Sequence, residues 1–204
     1  MGYAALLFAP SVTNATTLDN SLLHEPSFAL SRYCEDRPYD TSALLLHALI
    51  LERLGLVEPA IRRVRQAVTV LESRYETDES PEVERQYVVA LVNLGRLQLA
   101  NSENEAAAAT SADCIGLCGD RTDDEGTAIL VQCHLVTALS QSNCEQADEA
   151  LESFQKSLEY AEKLSITEKR EVCKEKISVL LARTLWHFGV EEAKEAAKTN
   201  LLEA

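Results

Sequence analysis

Leu54-Gly55-Leu56-Val57-Glu58-Pro59-Ala60-Ile61 joins two apolar runs, and its reading decides the fold. Upstream, Leu44, Leu45, Leu49, Leu51 and Leu54 recur at helical spacing and stop at a glycine, the residue that most readily ends a helix in the left-handed conformation. Downstream, Ala60, Ile61, Val64, Val68 and Leu71 form a second helical face, with Pro59 in a first turn that has no use for its missing amide. Asp40 is placed to cap the first helix. Two amphipathic helices this close in sequence pack as an antiparallel hairpin, and the small Ala48 and Ala60 let their backbones approach.

The same setting recurs along the chain. Ala107, Ala150 and Ala193 follow Ala60 at intervals of 43 to 47 residues, and Gly95 and Ala138 precede Ala107 and Ala150 by twelve, as Ala48 precedes Ala60. Intervals of this size mark helical repeats. The expected fold is all-α: a right-handed superhelical stack of antiparallel hairpins over residues 26–204, preceded by a poorly ordered arm over residues 1–25. Ser11 to Asn20, rich in Ser, Thr and Asn without a helical period, supports the arm.

Further helix starts are predicted at several places. A short helix is expected from Ser27 to Asp36, and Ser80-Pro81 opens one that breaks at Asn101. Ser102-x-x-Glu105, Thr122-x-x-Glu125 and Ser165-x-x-Glu168 read as capping boxes, and Asn143 as the cap of the helix carrying Ala150 and Phe154. The last pair is predicted to run from Thr167 to Phe188 and from Val190 to Leu202.

Composition agrees with this class. The 204 residues are 46% hydrophobic, enough for a sizeable core, and only 7 Gly and 5 Pro favour long helices over a sheet. A net charge of -14 argues against nucleic-acid binding, which needs clustered cations to replace phosphate counterions. The densest positive cluster, Arg62, Arg63 and Arg65 with Arg53 upstream, is flanked by glutamates and reads first as a solvated face, second as a docking site for an acidic partner. Tyr3 to Ala9 is too short to span a bilayer and lacks the features of a secretion signal, which predicts an intracellular protein. The six cysteines are scattered through apolar stretches and read as reduced core residues.

Length alone would favour HEAT or armadillo repeats, but the residue pattern resembles the tetratricopeptide repeat family. Leu54-Gly55 with Ala60, Leu94-Gly95 with Ala107, and Ala150 with Phe154 carry that resemblance. From Thr41 to Ala204 the order of segments, above all Leu185-Trp186 with Gly189, Glu191 and Glu192, also resembles the C-terminal repeats of fungal superkiller-complex scaffolds. The resemblance implies a cytoplasmic, or nuclear, protein scaffold that holds an RNA helicase and β-propeller subunits and serves the exosome. An adaptor or peptide-binding regulatory domain unrelated to RNA decay stays open beside it.

No phosphate-binding glycine loop, HExxH motif or nucleophile elbow occurs, so no catalytic residue, cofactor or metal is expected. Cys114-x3-Cys118 with Cys133-His134 is poorly spaced for zinc, because adjacent helical residues point about 100° apart. Asp120 to Gly126 opens like a calcium loop, but Glu125 stands where the sharp turn needs glycine. His47 and His134 are expected as packing residues, and Trp186 and Phe188 as packing against the final helix. Projecting the family's concave positions onto the first helices selects Glu52, Arg53, Arg96, Gln132 and Ser142 as protein-binding residues.

Overall fold

The computed structural model describes residues 21–78, 80–119 and 121–189, and the regular structure among them is entirely helical. The chain divides into two compact units, Met1–Glu103 and Asn104–Ala204. In the first, α1 (Ser21–Asp36) packs on α2 (Thr41–Arg53), α2 on α3 (Val57–Tyr75), and α3 on α4 (Pro81–Ala100). In the second, α6 (Asp124–Asn143) packs against both α5 (Asn104–Cys118) and α7 (Ala147–Glu162), and α7 against α8 (Thr167–His187).

The small residues do what their spacing requires. Ala48 is buried with Leu51 on α2, against Ala60, Ile61 and Val64 on α3 and Leu94 and Leu97 on α4, so one apolar cluster closes three helices. Ala60, Ala107 and Ala150 are all fully buried, as is Ala138. A β-carbon is the largest group that such close backbones admit. Phe154, one turn after Ala150, is fully enclosed in the second unit, and on the same α7 the Ser157 hydroxyl donates to the Val131 carbonyl of α6 at 2.9 Å.

Gly55 (φ 75°), Ser102 (φ 62°) and Glu145 (φ 62°) are left-handed residues that end α2, α4 and α6, each five positions before the repeat alanine. The bonding is the same each time. Gly55 N–H donates to Glu52 O and Leu56 N–H to Leu51 O, both at 2.9 Å. Ser102 donates to Leu99 O at 3.0 Å and Glu103 to Gln98 O at 2.9 Å; Glu145 donates to Ser142 O at 3.1 Å and Gln146 to Gln141 O at 3.0 Å. These bonds satisfy carbonyls that a helix end otherwise leaves open.

This turn corrects several predicted starts. The residue after the left-handed position closes one helix and opens the next: Leu56 and Gln146 are N-caps without a side-chain bond. No position remains for a hydroxyl cap, so Ser102 ends a helix instead of opening one, and Asn143 is the last residue of α6. At α6 the cap is Asp123, not Thr122, its carboxylate accepting from Gly126 N–H at 3.3 Å. Ser165 does not cap α8 either. Its backbone N–H donates to Asp124 Oδ1 at 3.0 Å and its hydroxyl to Oδ2 of the same carboxylate, which ties the loop before α8 to the start of α6.

Asp40 caps α2 as expected, accepting from Ala43 N–H at 3.0 Å, and Ser80-Pro81 opens α4. The helix Ser21–Asp36, first among the described residues, carries Pro26 inside it, so residues 21–25 are helical where an arm was expected. Proline there removes the amide that would bond the Leu22 carbonyl, a loss that the rest of the helix tolerates. The remainder of the predicted arm and the predicted last helix with Ala193 lie outside the described residues.

Candidate functional site

In the first unit, α2 and α4 present facing stripes at one spacing. Ser42, Leu45, Leu49 and Glu52 stand at i, i+3, i+7 and i+10 on α2; Gln86, Val89, Asn93 and Arg96 repeat that interval on α4. Helical periodicity puts each set on one side of its helix. Between them lies a groove with a cavity of about 180 Å³, floored by Ala48, Val64 and Leu97. Leu46 stands on its rim, 50% exposed.

The groove is apolar along its length and ionic at one end. Arg96 grips Glu52 with both arms of its guanidinium: Nη1 donates to Oε1, and Nη2 to Oε2 at 2.7 Å. The Glu52 side chain retains only 16% of its exposure, so its charge depends on this partner. Inside the groove the polar side chains are turned to their own helix. Asn93 Nδ2 donates to the Val89 carbonyl at 2.9 Å and Gln86 Nε2 to Glu82 at 2.8 Å, which leaves Leu45, Leu46 and Leu49 as the accessible apolar surface. Such a surface is chemically suited to aliphatic side chains.

The residues selected from sequence meet different fates. Glu52 and Arg96 come together across the groove, bonded to each other. Arg53 is exposed on α2 and does not line the groove. Gln132 is half-buried on α6. Ser142 is buried, its hydroxyl 3.4 Å from Thr184 Oγ1 on α8, so it joins two helices within the second unit where an accessible side chain was expected. Leu45, Leu46 and Leu49 line the groove and were not selected, because a leucine-rich run reads as core until packing shows which members face outward.

Both central histidines are buried. His47 is buried on α2, and burial holds its imidazole below the ordinary value. His134 stacks on Tyr160 with centroids 5.3 Å apart, and burial, with Lys156 nearby, lowers it likewise. Cys114, Cys118 and Cys133 are buried together between α5 and α6. A hydrogen bond from Cys118 pulls the Cys114 thiol down, but donation to Cys133 and desolvation outweigh it and leave that thiol far above its ordinary value. The carboxylates of the Asp123-Asp124 loop serve as cap and loop tie. Trp186 is 66% exposed instead of packed in a core.

Antiparallel helices closed by small residues and turning at a repeated left-handed position define a tetratricopeptide-type repeat fold. The structure is similar to that of MamA, with a TM-score of 0.62 and 14% identity over 92% of this chain and 91% of that one. A MamA double mutant gives a TM-score of 0.57, also at 14% identity, over 92% and 87% of the two chains. In sequence the chain resembles Superkiller protein 3 of Schizosaccharomyces pombe, with 27% identity over 199 residues. That match covers 98% of this chain and 14% of the relative. No protein-family profile matches the chain. Fold and relative together support a protein-interaction scaffold. Among the described residues no helix is long and apolar enough to cross a membrane.

Proposed function

We propose that this chain is a non-catalytic interaction module of a superkiller-type assembly, working in the cytoplasm in exosome-dependent 3′–5′ mRNA decay through an RNA helicase and β-propeller subunits. The observation that carries the reading is the similarity to Superkiller protein 3 along 98% of the chain, combined with an aliphatic groove between α2 and α4 that suits a protein segment. The groove is the contact surface, and the Glu52–Arg96 pair holds its end.

Pull-down with the tagged chain from a fungal extract, followed by mass spectrometry, tests this. Helicase, propeller or exosome subunits are expected with the wild-type chain and lost with Leu46→Asp, a substitution at an exposed rim position that spares the core. Recovery of none of them by a folded chain would overturn the assignment to RNA decay. Equal recovery by the Leu46→Asp variant would remove the groove from it.

A further inference from the structure

Opposite the groove, α2 lines a second cavity. His47, Leu51 and Leu54 lie about 120 to 180° around the helix from Ser42, Leu45 and Leu49, given the 100° advance per residue. They meet Ser27, Phe28 and Ser31 of α1 and Pro59, Arg62, Arg63 and Gln66 of α3 around an open cavity of about 640 Å³, a size in the range of ligand sites.

Two groups in this cavity want an acceptor. Arg63 is half-buried, and its bonds go to neutral oxygens, Ser31 Oγ at 3.3 Å and Gln66 Oε1 at 3.4 Å. Its neighbours on the helix differ: Arg65 is paired with Glu103 at 2.6 Å, and Arg62 with Glu58 at 3.8 Å. The nearest carboxylate to be linked to Arg63 is Glu35, one hydroxyl away, accepting from Ser31 at 3.4 Å. A half-buried guanidinium without a carboxylate of its own is unusual in a chain of net charge -14. The second group is His47, only 3% exposed, whose Nε2 lies 3.3 Å from Ser27 Oγ. Its Nδ1 is buried and without a partner, the one such side-chain atom among the described residues. A ring whose Nε2 accepts the Ser27 proton carries its own on Nδ1, a buried donor that has no acceptor in the wall of the cavity.

We infer that this cavity binds an acidic side chain of a partner peptide, its carboxylate on Arg63 beside His47 and its flanking aliphatic residues against Phe28, Leu54 and Leu56. The apolar walls favour a peptide over a bare anion. The excess negative charge of the chain repels a polyanion such as RNA, whereas a single carboxylate set between apolar residues faces one cation bonded only to neutral oxygens. The site stands on the other side of α2 from the groove of the proposed function, and neither depends on the other.

The test is calorimetric titration of the full chain with a synthetic peptide that carries one glutamate between leucines, its glutamine counterpart, and inorganic phosphate. The glutamate peptide is expected to bind, and to lose about tenfold in affinity both for Arg63→Gln and when its glutamate becomes glutamine, the equivalent of one charge-assisted hydrogen bond. Arg63→Lys is expected to keep part of the binding, and circular dichroism to give the same helix content for all variants. Equal affinity for the two peptides, no change with Arg63→Gln, or phosphate binding without peptide binding would each overturn the inference. Loss of peptide binding with Leu46→Asp would overturn it as well, by moving the peptide to the groove. Arg63→Gln is expected to leave the groove-dependent pull-down unchanged, so failure of one site is separable from failure of the other.

Discussion

Arg96 and Glu52 stand on different helices, 44 residues apart in sequence, and meet as a two-armed ion pair that closes one end of the α2/α4 groove. Arg96→Glu would set a second carboxylate against Glu52 and leave its charge without a counter-ion. A loss of about 1–3 kcal/mol is expected in urea unfolding. The double variant Glu52→Arg with Arg96→Glu is expected to recover part of it. A single-variant loss that the double variant does not reduce would mean that the pair contributes nothing as a pair.

The left-handed turns offer a gain in stability. A side chain at such φ costs about 1–2 kcal/mol, and glycine removes that strain at some entropic cost in the unfolded chain. Ser102→Gly and Glu145→Gly are each expected to stabilise by about 0.5–1 kcal/mol, read as a raised Tm. Gly55→Ala is expected to lower it.

Gly126 is held by contact, not by its φ. A β-carbon there would lie 2.6 Å from Arg121 Cβ and 3.0 Å from Asp123 Oδ1, the carboxylate that caps α6. Gly126→Ala is expected to cost about 1–3 kcal/mol in denaturant unfolding, by disturbing the cap.

The buried histidines set a pH dependence. Both are held below the ordinary value of 6.5, so the unfolded chain takes up protons before the folded one does. Their contribution is complete above about pH 6.5 and is lost as pH falls from there through the folded values. Unfolding free energy measured from pH 7 to pH 5 is expected to decline, and to decline less in His134→Gln. An unchanged slope would show that His134 does not carry the effect. Asp40, lowered chiefly by the Ala43 amide, acts in a more acidic window, its contribution lost as pH falls below 3.8.

The hairpin was legible because packing demands a small residue and the sequence supplies one at Ala48, Ala60, Ala138 and Ala150. Asp40 and Ser80-Pro81 were legible for a similar reason, since their chemistry suits one end of a helix. Ser102 and Asn143 misled because polar residues of this kind serve either end, and backbone direction decides between them. Glu145 gave no signal at all: nothing about a glutamate suggests a left-handed turn. The groove was half legible. The family's concave positions pointed to Glu52 and Arg96, but which leucines face the groove depends on where α4 lies, a contact between residues distant in sequence.

The five-residue step from Gly55, Ser102 and Glu145 to the alanine that follows works as a reading frame for these three turns. The step holds there while the alanine interval changes from 47 to 43 residues, so that length difference falls elsewhere, in the helices or in loops such as those after Tyr75 and Glu162, whereas Gly189 (φ 68°) stands four positions before Ala193. Those loops are the natural joints for exchanging helical cassettes between related proteins. A cut within residues 55–60 would break the frame itself.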